Sequence, residues 1–109
     1  MGEIDVKLKD VILKTIILKL LNDKETYGSK LLNTLDNISK GYYKLSEGSL
    51  YPLLYKLEED KLIENYWSTN EEGNMPKKYY KITKLGKEKL KKQLEAWEIF
   101  KQRTEHIVK

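Results

Sequence analysis

The stretch Gly48-Ser49-Leu50-Tyr51-Pro52-Leu53-Leu54-Tyr55-Lys56-Leu57-Glu58 decides how this chain folds. Leu50, Leu53, Leu54 and Leu57 fall at i, i+3, i+4 and i+7, the spacing of one apolar helix stripe. Ser49, Tyr51, Tyr55 and Lys56 occupy the opposite face. Ser46 is a good N-cap for this helix, and Leu45 with Leu50 fits the hydrophobic staple across its first turn. Pro52 is the point of tension. It brings no N–H, and its ring presses on the carbonyl of residue 48. That residue is a pliable glycine, so a tight first turn is predicted. The helix is predicted to end near Asp60 or Lys61.

Upstream, Ser39 to Lys44 reads as a turn around Gly41. Thr26 is a predicted cap for a second helix running to Ile38, with Leu31, Leu32, Leu35 and Ile38 inward and Gly28 permitting close packing near its start. Asn22 to Glu25 is a polar connection. A first helix spans about Leu8 to Asn22. Its apolar residues, Val11, Ile12, Leu13, Ile16, Ile17, Leu18, Leu20 and Leu21, cover more than one face. One side can pack on the domain core, and the other calls for a partner.

Downstream the period changes to that of a strand. Leu62 to Ser68 places Ile63 and Trp67 on one side, Thr69 to Pro76 is a polar hairpin tip containing Gly73, and Lys77 to Ile82 is the return strand, with Tyr80 and Ile82 on a common face. Thr83 caps a last helix to about Ile107, with Leu90, Leu94 and Trp97 in a stripe broadened by Ala96, Ile99 and Phe100. The predicted fold is mainly α (α+β): a winged helix-turn-helix of three helices and a two-stranded wing over residues 1–82, then a long dimerisation helix over 83–109.

At 109 residues the chain is one small domain with an appended element. Its formal charge is only +4, so the distribution of charge is what informs. Lys77, Lys78, Lys81, Lys84, Lys87, Lys89, Lys91 and Lys92 crowd one segment against Glu88, whereas Glu47, Glu58, Glu59, Asp60, Glu64, Glu71 and Glu72 oppose only Lys56 and Lys61. Such polarisation steers an anionic partner to one surface. The chain has no cysteine, which excludes disulfides, thiolate metal sites and cysteine nucleophiles. His106 is the single histidine, without clustered partners for a metal site or a catalytic base. No catalytic set, cofactor motif or metal motif is read elsewhere. The apolar run Val11 to Leu21 is interrupted by Lys14 and Lys19 and falls far short of the roughly 20 residues that span a bilayer. No membrane partner and a cytoplasmic location are expected. A domain this small, without staples, is helped by a second subunit.

Three segments, in order and at matching spacing, resemble the PadR family of bacterial transcriptional regulators: Tyr27-Gly28 opening the second helix, Gly48-Ser49-Leu50-Tyr51-Pro52 followed by Leu54, Leu57 and Glu58, and Gly73 to Tyr80 followed by Ile82-Thr83. The single C-terminal helix is similar to the short subfamily. Two departures stand out. Lys61 replaces a frequent glycine after the third helix, at a cost of about 1 kcal/mol if that position is left-handed. Asn74, Lys77 and Lys78 stand where the wing commonly carries arginine, and lysine brings a point charge where arginine brings a bidentate fork.

The resemblance implies a homodimeric, ligand-responsive repressor that binds double-stranded DNA at an inverted repeat. Candidate DNA-binding residues are Tyr27, Lys30, Ser46, Gly48, Ser49, Tyr51, Pro52, Tyr55, Lys56, Asn74, Lys77 and Lys78. Hydroxyl, phenol and ammonium groups suit phosphates and base edges. Val11, Leu18, Leu90, Leu94 and Trp97 are candidates for the dimer interface. Glu95-Ala96-Trp97 resembles the region where drug-sensing short members form a central pore, so Trp97, Phe100, Leu13 and Ala96 are candidates for holding a planar aromatic effector. Two plainer readings stand beside these. Trp97 can be simple dimer packing, and the chain can be a ligand- or protein-binding winged helix with no primary DNA role. Nothing in the sequence supports an enzyme.

Overall fold

The computed structural model describes residues 6–69 and 75–109. Along the chain run α1 (Val6–Asp23), β1 (Thr26–Tyr27), α2 (Gly28–Ile38), α3 (Glu47–Glu59), β2 (Ile63–Ser68), β3 (Lys77–Ile82) and α4 (Lys84–Val108). The strands form an antiparallel sheet in the order β1-β3-β2. Four helices and this small sheet make a mainly helical α+β winged-helix fold. Leucines dominate the core: Ile17, Leu18 and Leu21 of α1, Leu31 and Leu35 of α2, and the α3 stripe Leu50, Leu53, Leu54 and Leu57, closed by Leu62, Ile63, Tyr80 and Leu90.

The third helix begins as its residues dictate. The Ser46 hydroxyl accepts the Ser49 N–H at 3.2 Å. The Ser46 carbonyl accepts from both Ser49 and Leu50, at 3.1 and 3.0 Å. The first of these is a 3₁₀-type bond, the tight turn that Pro52 calls for. Both α2 and α3 end in a Schellman motif. After α3, Leu62 N–H donates to the Leu57 carbonyl and Lys61 N–H to that of Glu58, each at 2.9 Å. After α2, Gly41 donates to Asp36 at 2.8 Å and Lys40 to Asn37 at 3.2 Å. Lysine holds the left-handed position in each, Lys40 at φ 54° and Lys61 at φ 63°. The same wrap turns the chain from α3 into the sheet. Thr83 then ties α4 to that corner, its hydroxyl accepting Gly86 N–H at 3.0 Å and donating to the Lys61 carbonyl at 2.8 Å.

Several expectations are corrected. Thr26 does not cap α2. It is buried and pairs with Tyr80 as the first residue of β1, and the N-cap position falls on Tyr27, which makes no side-chain capping bond. Ile38 faces outward, beyond the reach of the core. Trp67 shares a side of β2 with Ile63, but only Ile63 is covered. Leu18 and Leu90, expected between subunits, and Leu13, expected beside an effector, lie in the core of the protomer itself. Their side chains have almost no surface left to offer, each being at most 4% exposed within the protomer. The apolar surface that remains on these helices includes Leu8, Val11, Leu94, Trp97, Ile99 and Phe100.

Candidate nucleic-acid interface

With its leucines buried, α3 presents Ser49, Tyr51, Tyr55 and Lys56 outward. Tyr55 is 64% exposed and Tyr51 40%. The difference has a cause. The Tyr51 phenol lies across the first turn of α2, directly over Gly28. A Cβ at residue 28 would overlap the Tyr51 hydroxyl and lie 2.7 Å from Cζ. Gly28 has no positive φ, so the backbone does not require glycine there; the ring does. Tyr51 is thereby seated on Gly28 at the start of α2, where Ser29 and Lys30 are exposed, and part of the residue stays open to solvent.

The other α3 candidates are differently placed. The Ser46 hydroxyl is engaged in capping and also donates to Ser49 Oγ at 3.3 Å. Gly48 and Pro52 are exposed in the same turns. Lys56 is turned along its own helix, 3.6 Å from a Glu59 carboxylate oxygen and 3.4 Å from one of Asp60. These carboxylates, Asp60 foremost, raise its pKa. The ammonium stays fully charged, but it is turned toward its own helix and the two carboxylates offset its field at the outer face. The i, i+3 and i, i+4 spacings that produce this pairing are visible in the sequence.

The wing joins this surface through a contact that the sequence analysis does not name and a buried tyrosine beside it. Asn65 donates to the Glu58 carboxylate, fastening β2 to α3. Tyr80, paired across from Asn65, is buried. Its hydroxyl is pushed up to about 12, chiefly by burial and then by the nearby Glu58 and Tyr51. The signal for both was strand alternation, which puts Asn65 and Tyr80 on the Ile63 side. On the other side of the sheet, Tyr27 meets Tyr79 edge-on at 5.3 Å, and Tyr79 stacks on Tyr66 at 5.5 Å. Tyr66 donates to the Glu25 carboxylate at 2.6 Å, the main reason its pKa rises to about 12. Lys77 sits with its ammonium 4.8 Å above the Tyr27 ring, and Lys78 5.9 Å from the centre of the Tyr80 ring. Both wing lysines are thus held by aromatic faces. Asn74 and Gly73 lie outside the described residues.

At the far end, Trp97 and Phe100 stack at 6.0 Å with 28° between their planes, 51% and 61% exposed. Ala96 is exposed beside them. Among the described residues, no three His, Cys, Asp or Glu side chains are placed to hold a metal ion, and no helix is long and apolar enough to cross a membrane.

Comparison with known proteins agrees with this geometry. Residues 17–92 match the family described as "Transcriptional regulator PadR-like family". The chain is 32% identical over 91 residues to the transcriptional regulator YqjI of Escherichia coli K12, an alignment covering 84% of this chain and 42% of that longer protein. Among solved structures, a transcriptional regulator from Clostridium thermocellum superposes with a TM-score of 0.83 at 27% identity, covering 97% of this chain and 99% of that one. A PadR-like transcription factor from Bacteroides fragilis gives 0.80 at 29% identity, covering 94% and 95%. Fold, surface and sequence converge, and the chain belongs to the PadR-like family of transcriptional regulators.

Proposed function

We propose that this chain is a DNA-binding repressor that acts in the cytoplasm as a homodimer on an inverted-repeat operator. The observation that carries the reading is α3, whose leucine face is buried while Ser49, Tyr51 and Tyr55 stand outward at the end of the molecule that bears the wing. Each subunit inserts this helix into a major groove, and Tyr51 donates its hydroxyl to a phosphate. Lys77 and Lys78 reach the backbone beside it, with Tyr27 and Lys30 from the start of α2 on the flank. Two-fold symmetry of the protein then requires half-sites about one helical turn or more apart. The second copy covers the stripe of Val11, Leu94 and Trp97, which the protomer leaves exposed.

Because α3 is not itself strongly basic, the wing supplies much of the affinity. The double substitution Lys77→Ala with Lys78→Ala is expected to weaken binding to all duplexes alike and to lower the slope of log affinity against log salt by about two units, one for each lost phosphate contact. Gel shifts with a duplex recovered by selection from a random pool, repeated across salt concentrations, measure this, and sedimentation of the complex gives the stoichiometry. An unchanged slope removes the wing from the interface; one subunit per operator removes the dimer.

Repression is relieved by a planar aromatic effector lodged between the Trp97–Phe100 stacks of the two subunits. Such a ligand acts only if it binds better to one spacing of the two reading heads than to the other. The exposed, stacked rings support this part of the reading. A planar dye is expected to quench tryptophan emission in the native protein and to leave the emission of the Trp97→Ala variant, which retains Trp67, unchanged. Equal quenching of the two proteins rejects this site.

A further inference from the structure

The wing carries a side chain that neither the packing nor the residues assigned so far account for. Trp67 is 66% exposed near the end of β2. The pairing register is Ile63 to Ile82, Asn65 to Tyr80 and Trp67 to Lys78. Alternation places these six residues on a single side of the two strands. Three successive levels follow outward along that side. The first, Ile63 with Ile82, sits against the core. The second, Asn65 with Tyr80, meets α3 through the bond from Asn65 to Glu58. The third, Trp67 with Lys78, lies one step of about 6.6 Å further out, beyond the level fastened to α3. The Lys78 ammonium leans back over the Tyr80 ring, which links the third level to the second.

An indole on the surface costs free energy when it stays in water. It stands beside Lys78 on the side of the wing that is tied to α3 one level below, so an elongated polyanion bound along both α3 and the wing would run next to it. A flat ring adjoining an ammonium suits a nucleic-acid backbone, which alternates an apolar sugar edge with a charged phosphate.

We propose that Trp67 and Lys78 form a second duplex contact, the indole lying against the deoxyribose edges of the strand beside the α3 groove and the ammonium holding the adjoining phosphate. This rests on the reading that α3 faces a duplex, and it adds a recognition element of a different kind, one that reads backbone position and groove width and not base identity. Trp67 therefore strengthens binding to matched and mismatched duplexes in similar proportion.

The protein has two tryptophans, so a Trp97→Phe background leaves Trp67 as the sole indole reporter. In that background, titration with the selected duplex is expected to quench and shift the emission of Trp67, with a midpoint that coincides with the gel shift. Trp67→Ala in the otherwise native protein is expected to weaken binding about tenfold, with Trp67→Phe in between. Thermal unfolding should not change, because the indole contributes little to the core. Saturable duplex binding without any change in Trp67 emission overturns the proposal. So does a Trp67→Ala variant that changes its oligomeric state while keeping its affinity, since the indole would then serve a protein contact. If the native chain binds no duplex at all, the DNA-binding reading falls first and this contact falls with it. A gel shift on the native protein distinguishes the two failures.

Discussion

Gly86→Ala is expected to destabilise the protein by about 2 kcal/mol, which lowers the unfolding midpoint of a domain this size by on the order of 10 °C. Gly86 lies in the first turn of α4, where alanine would ordinarily raise helix stability by up to about 1 kcal/mol. Its φ is not positive, so backbone strain is not the reason for a glycine there. The reason is contact. A Cβ at this position would overlap the carbonyl oxygen of Leu62 and lie 2.7 Å from Ile82 Cγ1. The Leu62 carbonyl cannot retreat, because it accepts the Thr83 N–H at 3.0 Å while the Thr83 hydroxyl holds the Lys61 carbonyl. The end of α3, the start of β2 and the cap of α4 meet in one knot of backbone, and a methyl group there must push one of them away. Gly48→Ala is the control. Its Cβ would find only Ser46 Oγ, at 3.7 Å, so no loss of stability is expected. Thermal unfolding of both variants at equal protein concentration makes the comparison fair for a chain that associates. Equal midpoints for Gly86→Ala and the native protein would show that α4 is not locked to that corner.

Much of this architecture was legible beforehand, for reasons that differ from element to element. The α3 stripe was clear because four leucines at helical spacing, a serine cap and a staple agree with one another. Thr83 was recognised as the cap of α4 in the same way, as a hydroxyl residue at the change from strand to helix period. β1 was invisible. Two residues carry no periodicity, and their partners Tyr80 and Tyr79 lie far along the chain, so Thr26 looked like a cap when it is a strand residue. α1 was recognised as a helix, but its apolar residues surround it too completely to show which of them face the protomer's own core. The pattern alone is therefore compatible with an outward Leu18, and the structure buries it.

The candidate site divides along the same line. Exposure of Tyr51 and Tyr55 followed from helical phase alone. The engagement of Lys56 by Glu59 and Asp60 also follows from spacing, yet a lysine on a helix proposed to face DNA invites the opposite reading. The seat of Tyr51 on Gly28 could not be read, because it joins two helices whose crossing the sequence does not encode locally. The tyrosine-glycine pair at the start of α2 is the only trace it leaves, and that trace acquires a physical meaning only when the third helix is laid across it.

That seat makes the largest functional prediction. Gly28→Ala is expected to weaken duplex binding at least about tenfold, equivalent to about 1.4 kcal/mol, although residue 28 brings no side chain to the interface. The added methyl displaces the Tyr51 ring from the first turn of α2, and a phenol held rigidly before binding becomes one that must be ordered on binding. Tyr51→Ala alone should cost a similar factor, since the donor itself is gone. The decisive variant is the double one. With the ring removed the methyl meets nothing, so Gly28→Ala in a Tyr51→Ala background should cost no further affinity, and the two effects should fail to add by about the whole of the first. Additive losses would mean that residue 28 acts through the helix backbone and not through Tyr51. If Gly28→Ala lowers the unfolding midpoint as well, removing the Tyr51 ring should restore it. Rescue from a different helix is a result that a local effect on α2 cannot produce, because nothing about the first turn of α2 changes when α3 loses a ring except the space above it.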